Sequence, residues 1–157
     1  MKKPILLVED NEDAVFLAQA AFKKTGITNP LSVVGDGREA LNYFKGAGKF
    51  ADRERFPLPY LVLLDLKLPQ IPGLDVLKWI RQHGLPTIVI VLTTSDDNSD
   101  VSLAYRLGAN AYLVKPNSLE KLFEVMQNLK NFWLTENLPP PEGPHNPVHQ
   151  GVKNQPE

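Results

Sequence analysis

The chain contains no cysteine among its 157 residues, so it can form neither a disulfide framework nor a thiolate metal site. Its apolar runs are all shorter than the ~20 residues that a transmembrane helix needs, and its N-terminus lacks the apolar segment of a signal peptide. The 17 basic and 18 acidic residues nearly balance, which does not indicate the basic face of a nucleic-acid-binding protein. We therefore expect a soluble, cytoplasmic protein that binds neither nucleic acid nor membrane.

Short apolar runs alternate with helical patterns along most of the chain. Apolar runs bounded by turn signals are typical of buried strands in a parallel sheet, and their alternation with helices indicates an α/β fold. The order of elements predicts a flavodoxin-like, doubly wound sheet of five parallel strands, order 2-1-3-4-5, with five helices. The predicted strands are 5–8, 31–34, 61–64, 87–92 and 111–114, and the predicted helices are 12–25, 38–45, 73–82, 98–107 and 118–134. Asn11 is the expected N-cap of the first helix, and Gly26 is expected to end it.

Two segments depart from this alternation. The connection 46–59 is longer than most helix-to-strand loops and carries both basic and aromatic residues. It is either a solvated loop whose aromatic side chains pack on the domain or a loop that contacts a partner. Residues 138–157 are polar and hold six of the 14 prolines, so we expect a domain over 1–137 followed by a disordered or extended tail. We expect no DNA-binding output domain.

Charged side chains follow three of the predicted strands at the point where each strand ends. Asp65 follows the third strand, Glu9 and Asp10 follow the first, and Lys115 follows the fifth, just before Pro116. The carboxyl ends of parallel strands meet at one edge of a sheet, and open α/β sheets bind their ligands there. We therefore expect these side chains to lie close together, joined by the hydroxyl groups that end the fourth strand.

Three clustered carboxylates repel one another unless a cation lies among them. Oxygen ligands of this kind suit a hard ion such as Mg²⁺. An aspartate beside Mg²⁺, a lysine and a hydroxyl group is equipped to accept a phosphoryl group, because the cations neutralise charge on the phosphoryl oxygens. Carboxylate nucleophiles that form aspartyl-phosphates are an established type of covalent catalysis. The pattern thus predicts phosphoryl transfer to Asp65.

The chain resembles a response-regulator receiver domain over roughly residues 4–135. Each matching motif is short, but four of them occur in the right order. The motifs are Val8-Glu9-Asp10-Asn11, Leu64-Asp65-Leu66-Lys67-Leu68-Pro69 with Gly73, Leu92-Thr93-Thr94-Ser95, and Ala109-Asn110-Ala111-Tyr112-Leu113-Val114-Lys115-Pro116.

The resemblance implies a role for each residue at the predicted sheet edge. Asp65 would be the phosphoacceptor. Glu9, Asp10 and Asp65 would hold Mg²⁺, together with the backbone carbonyl of Lys67. This ligand set agrees with the metal chemistry expected from the carboxylates alone.

The resemblance also assigns the residues around the phosphoryl group. Thr93 and Lys115 would contact its oxygens, joined by the backbone N–H of Thr94. Thr93 and Tyr112 would form the switch pair that changes arrangement on phosphorylation. The peptide bond between Lys115 and Pro116 would be cis, an isomer whose free-energy cost is low only before proline.

A receiver domain implies a sensor histidine kinase as the phosphoryl donor. The long loop before the third strand, the end of the last helix and the Pro-rich tail resemble the stand-alone regulators that serve cyanobacterial phytochromes, so a phytochrome is one candidate kinase. That resemblance also implies a homodimer, for which we expect the face made by the fourth helix, fifth strand and fifth helix. Phe132 and Trp133 either cover the end of the core or contribute to a dimer contact.

Other classes of protein remain as alternatives. The chain is expected not to be an enzyme beyond its own phosphorylation and dephosphorylation, because aspartyl phosphatases of the haloacid-dehalogenase type carry a second Asp where Lys67 stands. A nucleotide-binding flavodoxin-like protein would need a Gly-rich loop after the first strand, and none is present. A receiver-like interaction module that is never phosphorylated, and an intermediate or phosphate sink in a longer relay, both stay open.

Overall fold

The computed structural model describes residues 3–141 and contains one parallel sheet. Its strands lie in the order β2-β1-β3-β4-β5, which confirms the predicted flavodoxin-like topology. The first residue of β1 lies opposite the first residues of β2 and β3, so the carboxyl ends of these strands line up. The strands are β1 (Ile5–Val8), β2 (Leu31–Val34), β3 (Leu61–Leu64), β4 (Ile88–Thr93) and β5 (Ala111–Val114).

Five helices cover the two faces of the sheet, as the alternation of elements predicted. Helices α1 and α5 pack against one face, and α2, α3 and α4 against the other. Among the residues that the structure describes, no helix is long and apolar enough to cross a membrane. The helices are α1 (Glu12–Thr25), α2 (Gly37–Lys45), α3 (Gly73–Gln82), α4 (Asn98–Arg106) and α5 (Leu119–Asn131).

The three central strands are buried on both faces. Alternate residues of β1 point to opposite sides, so Leu6 and Val8 join the core under α2 and α3 while Ile5 and Leu7 join the core under α1 and α5. This two-sided burial explains why the strands are continuous apolar runs rather than alternating ones. The charged residues that follow the strands are thereby fixed to a rigid edge.

Helix α1 begins and ends where the sequence predicts. The Asn11 side chain accepts a hydrogen bond from the backbone N–H of Ala14 at 3.0 Å, which satisfies one of the free N–H groups of the first turn. Gly26 ends the helix with φ of 74°, a left-handed conformation that residues with a Cβ rarely adopt. Because the N-cap directly follows Glu9 and Asp10, the start of α1 fixes both acids at the sheet edge.

The end of the domain differs slightly from the expectation. Helix α5 ends at Asn131, and a π-helical turn over Phe132–Glu136 follows it. Trp133 packs against the core under α1 and α5, whereas Phe132 is 53% exposed. Trp133 therefore covers the end of the core, and Phe132 stays available to solvent. Most of the predicted tail, residues 142–157, lies outside the described residues.

The long connection after α2 packs on the domain. Phe50 is buried, and Phe56 contacts both it and Tyr43. The Arg53 guanidinium donates to the carbonyl oxygens of Tyr43 at 2.7 Å and Phe44 at 2.6 Å. These bonds add side-chain donors to carbonyls of the last turn of α2, where a helix leaves carbonyls without helical partners. The packing agrees with the first interpretation of this loop, in which its aromatic side chains lie against the domain.

Candidate functional site

Three carboxylates meet at the carboxyl edge of the sheet. Glu9 and Asp10 follow β1 and Asp65 follows β3, and one oxygen from each lies within 4.8 Å of the other two. Glu9 and Asp65 are only 4% and 7% exposed, whereas Asp10 is exposed. The parallel register brings them together, because β1 and β3 are neighbours whose ends coincide. The structure thus places the three predicted acidic residues in one cluster.

Asp65 is held by donors from two neighbouring strands. The Lys115 ammonium, just after β5, lies 3.0 Å from Asp65 Oδ2 and 2.7 Å from Glu9 Oε1. The Thr93 hydroxyl, at the end of β4, donates to Asp65 Oδ1 at 2.8 Å and is fully buried. The residue predicted to accept the phosphoryl group therefore already contacts the ammonium and hydroxyl predicted to bind that group.

The charges of the cluster depend strongly on one another. Burial and the neighbouring Asp65 carboxylate raise the pKa of Glu9 to about 7, although the Lys115 ammonium opposes this rise. Burial also pushes the pKa of Asp65 upward, but the neighbouring Glu9, the Lys115 ammonium and the Thr93 hydroxyl outweigh it and hold that pKa below its usual value. Burial acts to lower the pKa of Lys115, and its bonds to the two acids raise it overall. The lowered pKa keeps the Asp65 carboxylate ionised near neutral pH, as a nucleophile must be.

The loop after β3 closes around Asp65. The backbone N–H of Lys67 donates to Asp65 Oδ1 at 3.2 Å, and the Lys67 side chain is exposed. Gly73, the first residue of α3, lies so close to the Asp65 carbonyl that a Cβ at this position would collide with it. Glycine is thus required here for the start of α3 to approach the strand end.

Tyr112 lies on β5, beside the loop that follows β4. Its ring is half-buried against Leu66, Val91 and Ala104, and its hydroxyl donates to the carbonyl oxygen of Ser95 at 2.9 Å. Thr94 lies between Thr93 and Ser95 and is exposed at the sheet edge. The acceptor role of the Ser95 carbonyl was not predicted, because a backbone contact of this kind leaves no signal in the sequence.

The donor set fits a hard divalent cation. The clustered carboxylates are the ligands that Mg²⁺ prefers. Glu9 Oε2 is buried and has no hydrogen-bond partner among the described residues, although buried polar atoms are normally paired. A cation bound by Glu9, Asp10 and Asp65 would supply that partner and would offset the repulsion between the acids.

The peptide bond between Lys115 and Pro116 contradicts the expectation of a cis isomer. Every peptide bond within residues 3–141 is trans, this one included. The trans form of a bond before proline is favoured by about 0.5–1 kcal/mol when nothing in the fold opposes it. Lys115 reaches both acids from this backbone, since its ammonium contacts them at 2.7 and 3.0 Å.

A half-enclosed cavity of about 110 Å³ adjoins the cluster between α1 and α5. Its walls are mostly apolar, and Asp65, Glu9 and Lys115 form its polar end. Leu17 on α1 is 40% exposed at this place. The apolar walls are Leu7, Val8, Ala14, Leu17, Ala18, Leu63, Leu92, Pro116 and Leu122.

A five-stranded parallel sheet with an acidic cluster and a lysine at its carboxyl edge is the flavodoxin-like arrangement of a receiver domain. The chain belongs to the response regulator receiver domain family, which matches residues 5–127. Among curated relatives, the response regulator Rcp1 of Synechocystis is 41% identical over 140 residues, which cover 87% of this chain and 93% of Rcp1. A probable methanogenesis regulatory protein, FilR2 of Methanothrix harundinacea, is 38% identical over 143 residues, 87% of this chain and 86% of the relative.

Solved structures show the same likeness. The Mn²⁺-bound form of Rcp1 superposes with a TM-score of 0.79 at 38% identity, covering 88% of this chain and 99% of Rcp1. The phosphorylated cyanobacterial phytochrome response regulator RcpA gives a TM-score of 0.81 at 34% identity, covering 90% of this chain and all of RcpA. The chain is therefore similar along nearly its whole described length to stand-alone regulators of cyanobacterial phytochromes.

Proposed function

We propose that this response regulator accepts a phosphoryl group on Asp65 from the phosphohistidine of a sensor histidine kinase, in a reaction that requires Mg²⁺. The observation that carries the proposal is the pair of donors on Asp65: the Lys115 ammonium contacts one carboxylate oxygen and the Thr93 hydroxyl the other. On this view the protein acts as a catalyst only in its own phosphorylation and dephosphorylation. The alternative is a receiver-like interaction module that is never phosphorylated.

The chemistry follows from the groups around Asp65. One carboxylate oxygen forms a bond to phosphorus while the bond between phosphorus and the imidazole nitrogen of the donor breaks, and the electron pair of that bond leaves with the nitrogen. Lys115, Thr93 and the backbone N–H of Thr94 then donate hydrogen bonds to the phosphoryl oxygens and stabilise their charge. Glu9, Asp10, Asp65 and the carbonyl of Lys67 would hold the Mg²⁺. The ion, when bound, supplies positive charge for the transferring phosphoryl group.

The apolar cavity between α1 and α5 supports a protein as the phosphoryl donor. Its polar end is Asp65 itself, and its rim carries the partly exposed side chain of Leu17. Phe16, next along α1, is 69% exposed. A kinase helix that places an apolar side chain against this rim would bring its phosphohistidine to the Asp65 edge. A small phosphodonor lacks this contact and should therefore react more slowly.

Incubation with acetyl phosphate, with and without Mg²⁺, tests the proposal when it is followed by intact mass. We expect one phosphoryl addition that requires Mg²⁺ and disappears in Asp65→Asn. Asp75→Asn is the matched control, because Asp75 is an exposed aspartate on α3 outside the cluster. No addition to the folded wild-type chain under any condition would favour the interaction module.

The identity of the kinase is a narrower proposal. We infer a phytochrome as the leading candidate, on the basis of the similarity to Rcp1 and RcpA. A panel of purified phosphorylated sensor kinases, compared at short times, would test it, and the phytochrome should transfer its phosphoryl group fastest. Transfer from Asp65 onward to a second histidine protein would instead indicate a relay intermediate or phosphate sink. The cytoplasmic location stays a prediction.

The dimer proposal rests on exposed apolar side chains. Leu103 and Tyr105 on α4, Val114 on β5 and Leu119 on α5 are 38–49% exposed. These residues lie on the three elements that the sequence predicted as a homodimer face. Light scattering of the full chain before and after phosphorylation tests it, with Val114→Asp as the disrupting variant. A monomer in both states at high concentration would contradict it.

A further inference from the structure

Ser95 lies in the loop between β4 and α4 and is held from two sides. Its hydroxyl donates to Asp100 Oδ2 at 2.6 Å, and its carbonyl accepts the Tyr112 hydroxyl at 2.9 Å. The first distance is typical of a hydroxyl bound to an ionised carboxylate, which is stronger than a bond between neutral groups. Ser95 therefore connects an acid at the start of α4 to the tyrosine on β5.

Asp100 is not needed to cap α4. That task belongs to Asp97, whose side chain accepts from the backbone N–H of Ser99 at 3.0 Å and also contacts the Ser99 hydroxyl. The backbone N–H of Asp97 in turn lies 3.4 Å from Ser95 Oγ. Asp100 lies half-buried in the first turn with its carboxylate on Ser95. Its carboxylate therefore bonds to Ser95 rather than capping the helix.

The position of the Ser95 carbonyl matters because Tyr112 depends on it. The ring of Tyr112 packs against Leu66, Val91 and Ala104, next to the strand end that carries Thr93. Its hydroxyl needs a partner in this half-buried place, and the structure supplies the Ser95 carbonyl. If the loop shifted, the tyrosine would lose the acceptor that favours this orientation.

We propose that Asp100 is a positioning residue that fixes Ser95 and thereby holds Tyr112 in the orientation seen here. Loss of Asp100 shifts the population of Tyr112 away from this orientation without altering any residue that contacts Asp65. The effect on phosphorylation rests on the proposed function, whereas the effect on Tyr112 does not.

Fluorotyrosine NMR of the full chain measures the orientation of Tyr112 without any phosphodonor. The protein has four tyrosines, and Tyr112→Phe assigns the resonance. We expect Asp100→Ala and Ser95→Ala to move this resonance in the same direction, and the double variant to move it no further. Asp96→Ala is the matched control, because it removes an exposed acid of the same loop. A Tyr112 resonance in Asp100→Ala identical to that in Asp96→Ala would overturn the proposal.

Asp100→Asn guards against a folding artefact, because it keeps the shape of the side chain. We expect a resonance between those of wild type and Asp100→Ala, since an amide oxygen accepts a weaker hydrogen bond than a carboxylate. Circular dichroism checks that Asp100→Ala is folded. If it is, and Asp100→Asn moves the Tyr112 resonance as far as Asp100→Ala does or further, the shift does not follow hydrogen-bond strength. The proposal then fails.

The rate of phosphorylation by phosphoramidate gives the functional result. We expect Asp100→Ala to lower it by about two- to tenfold relative to Asp96→Ala, the population change that one ordinary hydrogen bond produces. In the Tyr112→Phe background the difference should vanish. An equal difference in that background would overturn the proposal. If the wild type is not phosphorylated at all, the proposed function fails, and the fluorine spectra still decide the role of Asp100.

Discussion

Lys115 and Arg81 are both partly buried cations, but their hydrogen-bond partners are of opposite kinds. The Lys115 ammonium contacts the carboxylates of Glu9 and Asp65, at 2.7 and 3.0 Å. The Arg81 guanidinium, on α3, donates to backbone carbonyls and one side-chain amide, namely Leu85 and Gly108 at 2.9 Å and Thr87 and Asn110 at 2.8 Å. One cation thus lies among ionisable groups and the other among neutral ones.

The difference separates the candidate functional cluster around Asp65 from the structural cluster around Arg81. Burial lowers the pKa of Arg81, and no carboxylate within residues 3–141 offsets this, yet arginine stays charged because its intrinsic pKa is so high. The carboxylate partners of Lys115 can take up a proton and, under the proposed function, bind a metal ion or accept a phosphoryl group. The partners of Arg81 cannot, so its contacts do not change with the state of the site. The contacts of a cation with carboxylates can therefore change with the state of those acids. Its contacts with backbone carbonyls do not change in this way.

The largest effect is expected in Lys115→Met, which removes the cation that contacts the carboxylates. The initial rate of phosphorylation by phosphoramidate should fall about 10²–10³-fold, the loss typical of removing one donor that stabilises transition-state charge. Quenched time points read by intact mass give the rate. Lys78→Met, an exposed lysine on α3, is the control and should react like wild type. A Lys115→Met rate equal to the control would show that the ammonium has no part in transfer.

Arg81→Met should lower the stability of the fold and leave the phosphorylation rate unchanged. The free energy of unfolding should fall by about 3 kcal/mol, because the substitution leaves several part-buried carbonyls without their donor. Urea titration measures it, with Arg106→Met as the control, since Arg106 is exposed and makes only a 3.3 Å contact with Ser102. The phosphorylation rate of the folded variant should stay unchanged. A lowered rate at full stability would place Arg81 in the functional cluster instead.

The same contrast explains what the sequence could predict. Strand runs, the Asn11 cap and the Gly26 ending are local signals. The cap and the ending agree with the structure, and the strands agree except that β4 spans Ile88–Thr93 rather than 87–92. The clustering of Glu9, Asp10 and Asp65 followed from topology, because the ends of neighbouring parallel strands must meet. The contacts of Lys115 with these acids follow from the same rule. A functional site built on strand ends is therefore visible in a sequence.

Contacts that depend on side-chain geometry across loops were not predictable. Nothing in the sequence indicates that Arg81 reaches Gly108, or that Asp100 binds Ser95. The π-helical turn after Asn131 depends on local packing that no motif encodes. The loop 46–59 left two interpretations for the same reason, since the burial of Phe50 becomes visible only in three dimensions.

Mg²⁺ should distinguish the two clusters, because we expect it to bind the acids around Asp65 and not the groups around Arg81. A ligand that binds only the folded chain stabilises it by about 2.7 kcal/mol at a hundredfold excess over Kd. Urea titrations with and without Mg²⁺ should show this increment in wild type and in Arg81→Met, whose substitution is far from the acids. Asp10→Asn should lose most of it, because one ligand of the ion is missing. An equal increment in Asp10→Asn would place the ion elsewhere.

Arg53 is a third partly buried cation, and its substitution should change the free energy of unfolding the least. Its guanidinium donates to the carbonyls of Tyr43, Phe44 and Phe56, so its partners among the described residues are neutral, as those of Arg81 are. Arg53→Ala should lower the free energy of unfolding by about 1 kcal/mol, since these carbonyls at the end of α2 can regain water. Arg55→Ala should cost less, because Arg55 is exposed and lies over the Phe56 ring at 5.2 Å. If contacts with neutral partners are independent of the Asp65 cluster, neither variant should differ from wild type in its stabilisation by Mg²⁺ or in its phosphorylation rate. A change in either one in Arg53→Ala alone would mean that the loop 46–59 communicates with the Asp65 cluster.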